Sequence, residues 1–174
     1  MAMNFGQLTS AFETYTSTEG EIDAAQLALW MNEALLDLAY DLGPVQVQSV
    51  EVAAGETLAA NSNWLRLLDC DLAYQRQPDG SLLFTEGGAG QLYYRSLPTL
   101  FSGSDDTQSS DLHPALHYLP ALFAAARYWD SICDGDGGES TLASKWMSYY
   151  YQGKNLARAR LHCASWDVTG WSVA

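Results

Sequence analysis

Apolar residues first recur at helical spacing. Phe5, Leu8 and Phe12 stand three and four apart and predict a short helix ending near Tyr15. A longer stripe follows, made of Leu27, Met31, Leu35, Leu38 and Leu42 and widened by Trp30 and Ala34. Thr18 and Glu21 have the spacing of a capping box for this second helix, and Gly43 with Pro44 should end it. From Val45 the period falls to two. Val45 and Val47, then Val50 and Val52, predict strands that bury one face. Residues 64–68 and 71–77 read as further strands, and Pro78, Asp79 and Gly80 form a turn into residues 81–85, which makes a hairpin. Gly87, Gly88 and Gly90 mark a loose connection before residues 91–95, where Leu92 and Tyr94 alternate again. About five strands are expected in all.

Residues 97–111 carry Pro98, Gly103 and a run of Ser, Asp, Thr and Gln without periodicity, which reads as a polar connector. Helices then return. Pro114 or Pro120 suits a first turn, and Leu116, Leu119, Phe123, Ala126 and Trp129 lie on one face of a helix ending near Cys133. After the Gly- and Asp-rich stretch 134–138, a fourth helix starts near Glu139, with Leu142, Trp146, Tyr149, Gly153, Leu156 and Cys163 in phase. The expected class is α+β: mainly an α-helical bundle of about four helices with an inserted small antiparallel β-sheet. Residues 1–44 and 112–165 supply the bundle, 45–101 the strands, 102–111 the connector and 166–174 a carboxyl-terminal tail. No internal repeat is visible.

Composition sharpens this picture in two ways. Six Trp, ten Tyr and five Phe are many for 174 residues, and aromatics supply large contact areas both in cores and between subunits. Net charge is −13, and it is unevenly spread: Arg66, Arg76 and Arg95 are the only basic residues before Leu112, whereas acid and base balance after it. An extended grip on nucleic acid needs clustered Lys and Arg, so that class is excluded. Cys70, Cys133 and Cys163 are odd in number and widely spaced, which fits free thiols and neither a disulfide framework nor a zinc ribbon. No basic segment followed by an apolar stretch opens the chain, and no run approaches membrane-crossing length, so a protein without membrane contact is expected.

Candidate chemistry is sparse. His113 and His117 are four apart, and with His162 and Cys163 they permit a metal site and hence a small metal-dependent enzyme. Pro114 leaves His113 at the helix start, however, and no acidic residue stands between the two histidines at a general-base spacing, so surface or packing histidines are the simpler reading. Asp134 and Asp136 imitate the opening of a calcium loop, but Gly138 and Lys145 occupy its fifth and twelfth positions. Phosphate-loop, dinucleotide and nucleophile-elbow signatures are missing, so no catalytic residue and no cofactor is expected. Lys154, Arg158 and Arg160 form the one basic cluster, either a solvated helix face or a contact to an acidic partner. Trp166 and Trp171 on the tail add aromatic anchors to this candidate partner-binding set.

Four segments in this order resemble the head-to-tail adaptor, or connector, proteins of tailed bacteriophages. The first is Trp30-Met31-Asn32-Glu33-Ala34-Leu35 with the apolar seam after it. The second is Ala54-Gly55-Glu56-Thr57-Leu58 with Trp64-Leu65-Arg66-Leu67, and here the sequence departs from the family, since Ala59 to Asn63 stand where many relatives have Leu-Pro. The third is Leu82-Leu83-Phe84 followed by Gln91-Leu92-Tyr93-Tyr94-Arg95-Ser96-Leu97-Pro98. The fourth joins His113-Pro114-Ala115-Leu116, Ala124-Ala125-Ala126-Arg127-Tyr128-Trp129 and Trp146-Met147-Ser148-Tyr149-Tyr150. The resemblance implies a structural virion protein that is not an enzyme, assembled in the host cytoplasm into a dodecameric ring at the virion neck. Its partners would be the portal protein, a tail or tail-completion protein and further copies of itself. Double-stranded DNA would pass through the channel without specific binding. Another neck or tail-completion protein is the neighbouring reading.

Overall fold

The computed structural model describes residues 3–133 and 138–168, with side chains described as far as Leu161. Its elements run α1 (Phe5–Thr16), α2 (Ala24–Leu42), β1 (Val45–Val52), β2 (Thr57–Leu58), β3 (Trp64–Cys70), β4 (Tyr74–Arg76), β5 (Leu82–Phe84), β6 (Gly88–Ser96), a 3-10 turn (Pro114–Leu116), α3 (Leu119–Ser131) and α4 (Gly138–Val168). The fold is α+β, with four α-helices and two small antiparallel three-stranded sheets among the described residues. The chain divides into two compact units, residues 39–97 and the remainder. Each has its own apolar interior.

In the helical unit, α1 starts where Asn4 accepts from the Gln7 amide at 2.9 Å while the Gln7 side chain accepts from the Asn4 amide at 3.1 Å. This reciprocal pair is the capping box, satisfying two amide donors that the first turn leaves over. The box expected at Thr18 and Glu21 does not form. Thr18 is buried in the turn after α1, its hydroxyl 2.6 Å from that of Thr16, and α2 begins later, where the Asp23 carbonyl accepts from the Leu27 amide. The α2 stripe is buried as expected at Leu27, Met31, Ala34, Leu35, Leu38 and Leu42, with Ala28 and Ala39 beside it.

The stretch read as a polar connector is folded against α1. The carbonyls of Gln108 and Asp106 accept from the Phe5 and Gly6 amides, Asn4 and Ser109 form a β-bridge, and Phe101 is buried with its ring 5.2 Å from that of Phe5. Asn32 clamps Phe101, accepting from its amide at 2.8 Å and donating to its carbonyl at 2.9 Å. Its polar residues satisfy backbone groups locally, which is why no periodicity betrays the contact. Helix α3 is enclosed on more than one side: Ala121, Leu122, Ala124 and Ala125 are buried along with Leu119 and Ala126, while Phe123 and Trp129 are half-buried.

In the β unit, one sheet has the order β1-β6-β3 and the other β2-β5-β4. Val50, Val52, Leu82, Phe84 and Leu92 form the interior, with Trp64, Leu67 and Tyr94 packed around them. The expected hairpin is β4–β5. Asp79 at its turn accepts from the Ser81 amide and hydroxyl, and these bonds hold its carboxyl below the usual range. Gly80 supplies the positive φ of 83°.

Two expectations fail in this unit. Gly88 and Gly90 lie within β6, paired with Val52 and Val50, and a Cβ at Gly90 would stand 2.9 Å from Leu72, so the glycine makes room for that leucine to pack. Val45 and Val47 belong to the same strand as Val50 and Val52 but in the opposite phase. They are therefore 50% and 54% exposed. The strands number six, the two-residue β2 being the one too short to show a period.

Candidate functional site

The seam between α3 and α4 is where the candidate cations meet the fold. Helix α4 turns Tyr150, Gly153, Lys154 and Ala157 inward, one position on from the expected Tyr149 and Leu156, which are 44% and 51% exposed. A Cβ on Gly153 would fall 2.5 Å from Leu119 and 2.6 Å from the Tyr118 hydroxyl, so glycine lets α4 approach the start of α3. Lys154 is not a surface cation. Its side chain is 7% exposed, and Nζ lies 2.7 Å from Asp37 Oδ2, a carboxylate that also accepts from the Tyr150 hydroxyl. Burial in this pair removes Lys154 from any partner surface. Arg158 and Arg160 are exposed, and Trp166, Trp171, His162 and Cys163 lie beyond the last described side chain.

His113 and His117 have structural roles. His117 is buried, and both ring nitrogens are engaged: Nδ1 accepts from the Met3 amide at 3.0 Å, which leaves Nε2 to carry the proton it donates to the Leu112 carbonyl at 2.6 Å. No lone pair remains for a metal in this state. His113 caps the 3-10 turn, its Nδ1 accepting from the Ala115 amide. Among the described residues no group of three His, Cys, Asp or Glu is placed to hold a metal ion. The calcium-like residues Asp134 and Asp136 lie outside the described residues. Replacing His117 with alanine should lower the stability of the helical unit by about 2 kcal/mol, because it leaves the Leu112 carbonyl and Met3 amide without their partner. Thermal melting and metal content measured together check this, and a metal lost in step with the fold would reverse the assignment.

Two further features escaped the sequence reading. Arg66 and Arg95 are direct cross-strand partners on β3 and β6, an unfavourable pairing of like charges. It is relieved by acceptors at the end of α2: Arg95 donates to the Gly43 carbonyl, and Arg66 stands 3.7 Å from Asp41 and over the Tyr40 ring. Burial and the charge of Arg66 lower the Arg95 pKa, and Asp41 opposes them. The second feature is an open groove of about 470 Å³ between α3 and α4, floored by Ala126, Ala143 and Met147 and edged by Arg127, Asp130 and Tyr151. Arg127 is paired with Glu33 at 2.8 Å across the helices. Small residues spaced along two neighbouring helices make this groove, a pattern visible only once the helices are paired.

No known family model matches the chain, and no curated protein matches it. No helix among the described residues is long and apolar enough to cross a membrane.

Proposed function

We propose that this protein is a structural subunit of a tailed-bacteriophage neck, a head-to-tail adaptor that joins the portal to the tail as a ring and extends the DNA channel. The observation that carries the reading is the position of the four resembling segments. They fall in order on α2, on β2 and β3, on β5 and β6, and on the 3-10 turn, α3 and α4, so that a β unit is inserted between the second and third helices. Exposed apolar residues support a ring subunit: Leu29, Val45, Val47, Tyr149, Tyr151 and Leu156 are each at least 44% exposed, a display that suits surfaces covered on assembly. The charge suits a channel, since a wall of net negative charge does not hold the phosphates sliding past it.

The reading as a metal-dependent enzyme draws no support from His117, whose imidazole is spent on backbone groups. Purified protein mixed with portal rings should add a ring of density at the tail-facing end of the portal in electron micrographs. Failure to bind portal, tail-completion protein or further copies of itself would sink the adaptor reading.

A further inference from the structure

An open sheet has two edges, and proteins blunt them because unpaired N–H and C=O groups recruit other strands. In the β unit the edges are β1 and β3 in one sheet and β2 and β4 in the other, and three of them are blunted. Strand β2 has two residues and β4 three, while β3 loses register with β6 twice, between Trp64 and Arg66 and between Leu67 and Asp69. Strand β1 has none of these devices. It runs eight residues in unbroken register with β6, holds no Pro, Lys or Arg, and carries one charge, Glu51. Every second residue turns its N–H and C=O to the free side of β1, where no hydrogen bond from a described residue meets them. Val45, Gln46, Val47 and Ser49 are exposed there.

We infer that β1 pairs antiparallel with β1 of a second copy, about a two-fold axis at Gln48, so that the three strands of each copy make one continuous sheet. This register sets residues 45–51 of one copy against 51–45 of the other. On the exposed face it places Val47 opposite Ser49 and Val45 opposite Glu51, and it brings no two like charges opposite each other. Charge selects it. Arg66, Arg95 and Val45 lie in one row across β3, β6 and β1, and the carboxylate beside the two arginines is Asp41, one negative charge against two positive ones. Arg95 reaches toward the start of β1, where it donates to the Gly43 carbonyl. Glu51 of the second copy extends that row by one strand, roughly 10 Å from the Arg95 backbone, a span that an arginine and a glutamate bridge from its two ends. In its own chain Glu51 stands opposite Ala89 and has no ion pair among the described residues. Two-fold symmetry makes the contact twice. A single strand pair is small beside the roughly 1,200 Å² of a standard interface, so the dimer is a weak one. An isologous contact closes at two copies, so it describes the chain away from the portal and stands apart from the ring reading.

Sedimentation of the full chain at rising concentration tests it, and the parent should pass from monomer to dimer. Val47→Lys, at an exposed position beside the axis, sets two ammonium groups near each other, and Glu51→Lys turns the attraction to Arg95 into repulsion. Each should melt as the parent does and dimerise at least tenfold more weakly. Should Val47→Lys melt early, Ser49→Lys replaces it with the same expected result. Under mild oxidation Gln48→Cys should give a dimer whose cross-link, mapped by mass spectrometry, joins position 48 to position 48. A parent that stays monomeric, either lysine variant dimerising like the parent, or Gln48→Cys dimers joined at other positions overturns the pairing. A monomeric parent that binds portal, with a Val47→Lys variant that does not, overturns it too: the edge then belongs to the portal contact, and the ring reading stands.

Discussion

Replacing Tyr150 with alanine should lower the unfolding free energy of the helical unit by about 4 kcal/mol, the range expected for emptying a large, fully buried aromatic site. Tyr150 has no exposed surface, packs its ring 5.2 Å from that of Phe123, and directs its hydroxyl at Asp37. Tyr150→Phe keeps the packing and loses only the hydrogen bond, so about 1 kcal/mol should go. The neighbouring ion pair predicts an asymmetry. Lys154 is 7% exposed and Asp37 45% exposed. Asp37→Ala takes the carboxylate away from a buried ammonium, whereas Lys154→Met retains the apolar stem and leaves a carboxylate that water already reaches. Asp37→Ala should therefore be the more damaging change. Urea titrations of the four variants check the order Tyr150→Ala, Asp37→Ala, then Lys154→Met with Tyr150→Phe; a Lys154→Met variant as unstable as Asp37→Ala would refute the account.

The same pair explains why the last helix was read one position out of phase. A pattern of apolar residues selects Tyr149 and Leu156, because lysine at 154 counts as polar and so argues for an outward face. A lysine whose charge is met inside the fold inverts that rule, and its partner lies 117 residues away, on α2. Where the period is set by burial of apolar side chains alone, as along Leu27 to Leu42 or at Phe5, Leu8 and Phe12, sequence and structure agree residue by residue. The hairpin at Asp79 and Gly80 was legible for a different reason: its turn chemistry is local.

What escaped depends on pairing between distant segments. Val45 and Val47 alternate as well as any buried pair, but register against β6 puts them on the face opposite Val50 and Val52. Residues 97–111 look like solvated connector because, apart from the single ring contact of Phe101 with Phe5, they are joined to α1 through backbone hydrogen bonds, which no side-chain pattern reports. Of the candidate partner-binding residues, Arg158 and Arg160 stand at the surface and Lys154 does not. The groove between α3 and α4 is lined in half by small residues, Ala126, Ala143, Ser144 and Ser148, that no motif marks.

Phe84→Ala should unfold the β unit while the helical unit stays folded. Phe84 has no exposed surface and sits among Val50, Val52, Leu82 and Leu92, a cluster drawn wholly from residues 39–97. Removing a buried phenyl ring costs about 3–5 kcal/mol. A unit of this size buries a smaller fraction of its chain surface than a large domain does and has little stability to lose, so a loss of that order takes most of it. The helical unit is built from other residues: Phe5, Phe12, Met31, Leu35, Leu116, Leu119 and Tyr150 are buried, and none of them belongs to the strands' cluster. Hydrogen exchange on the variant should therefore show protection lost at the amides of β1, β3 and β6 and kept in α1, α3 and the α4 residues up to Leu161. Gly90→Ala, which sets a methyl group against Leu72, should move in the same direction by a smaller amount. Loss of protection spreading evenly through α1 and α3 would mean that the two units fold as one cooperative body.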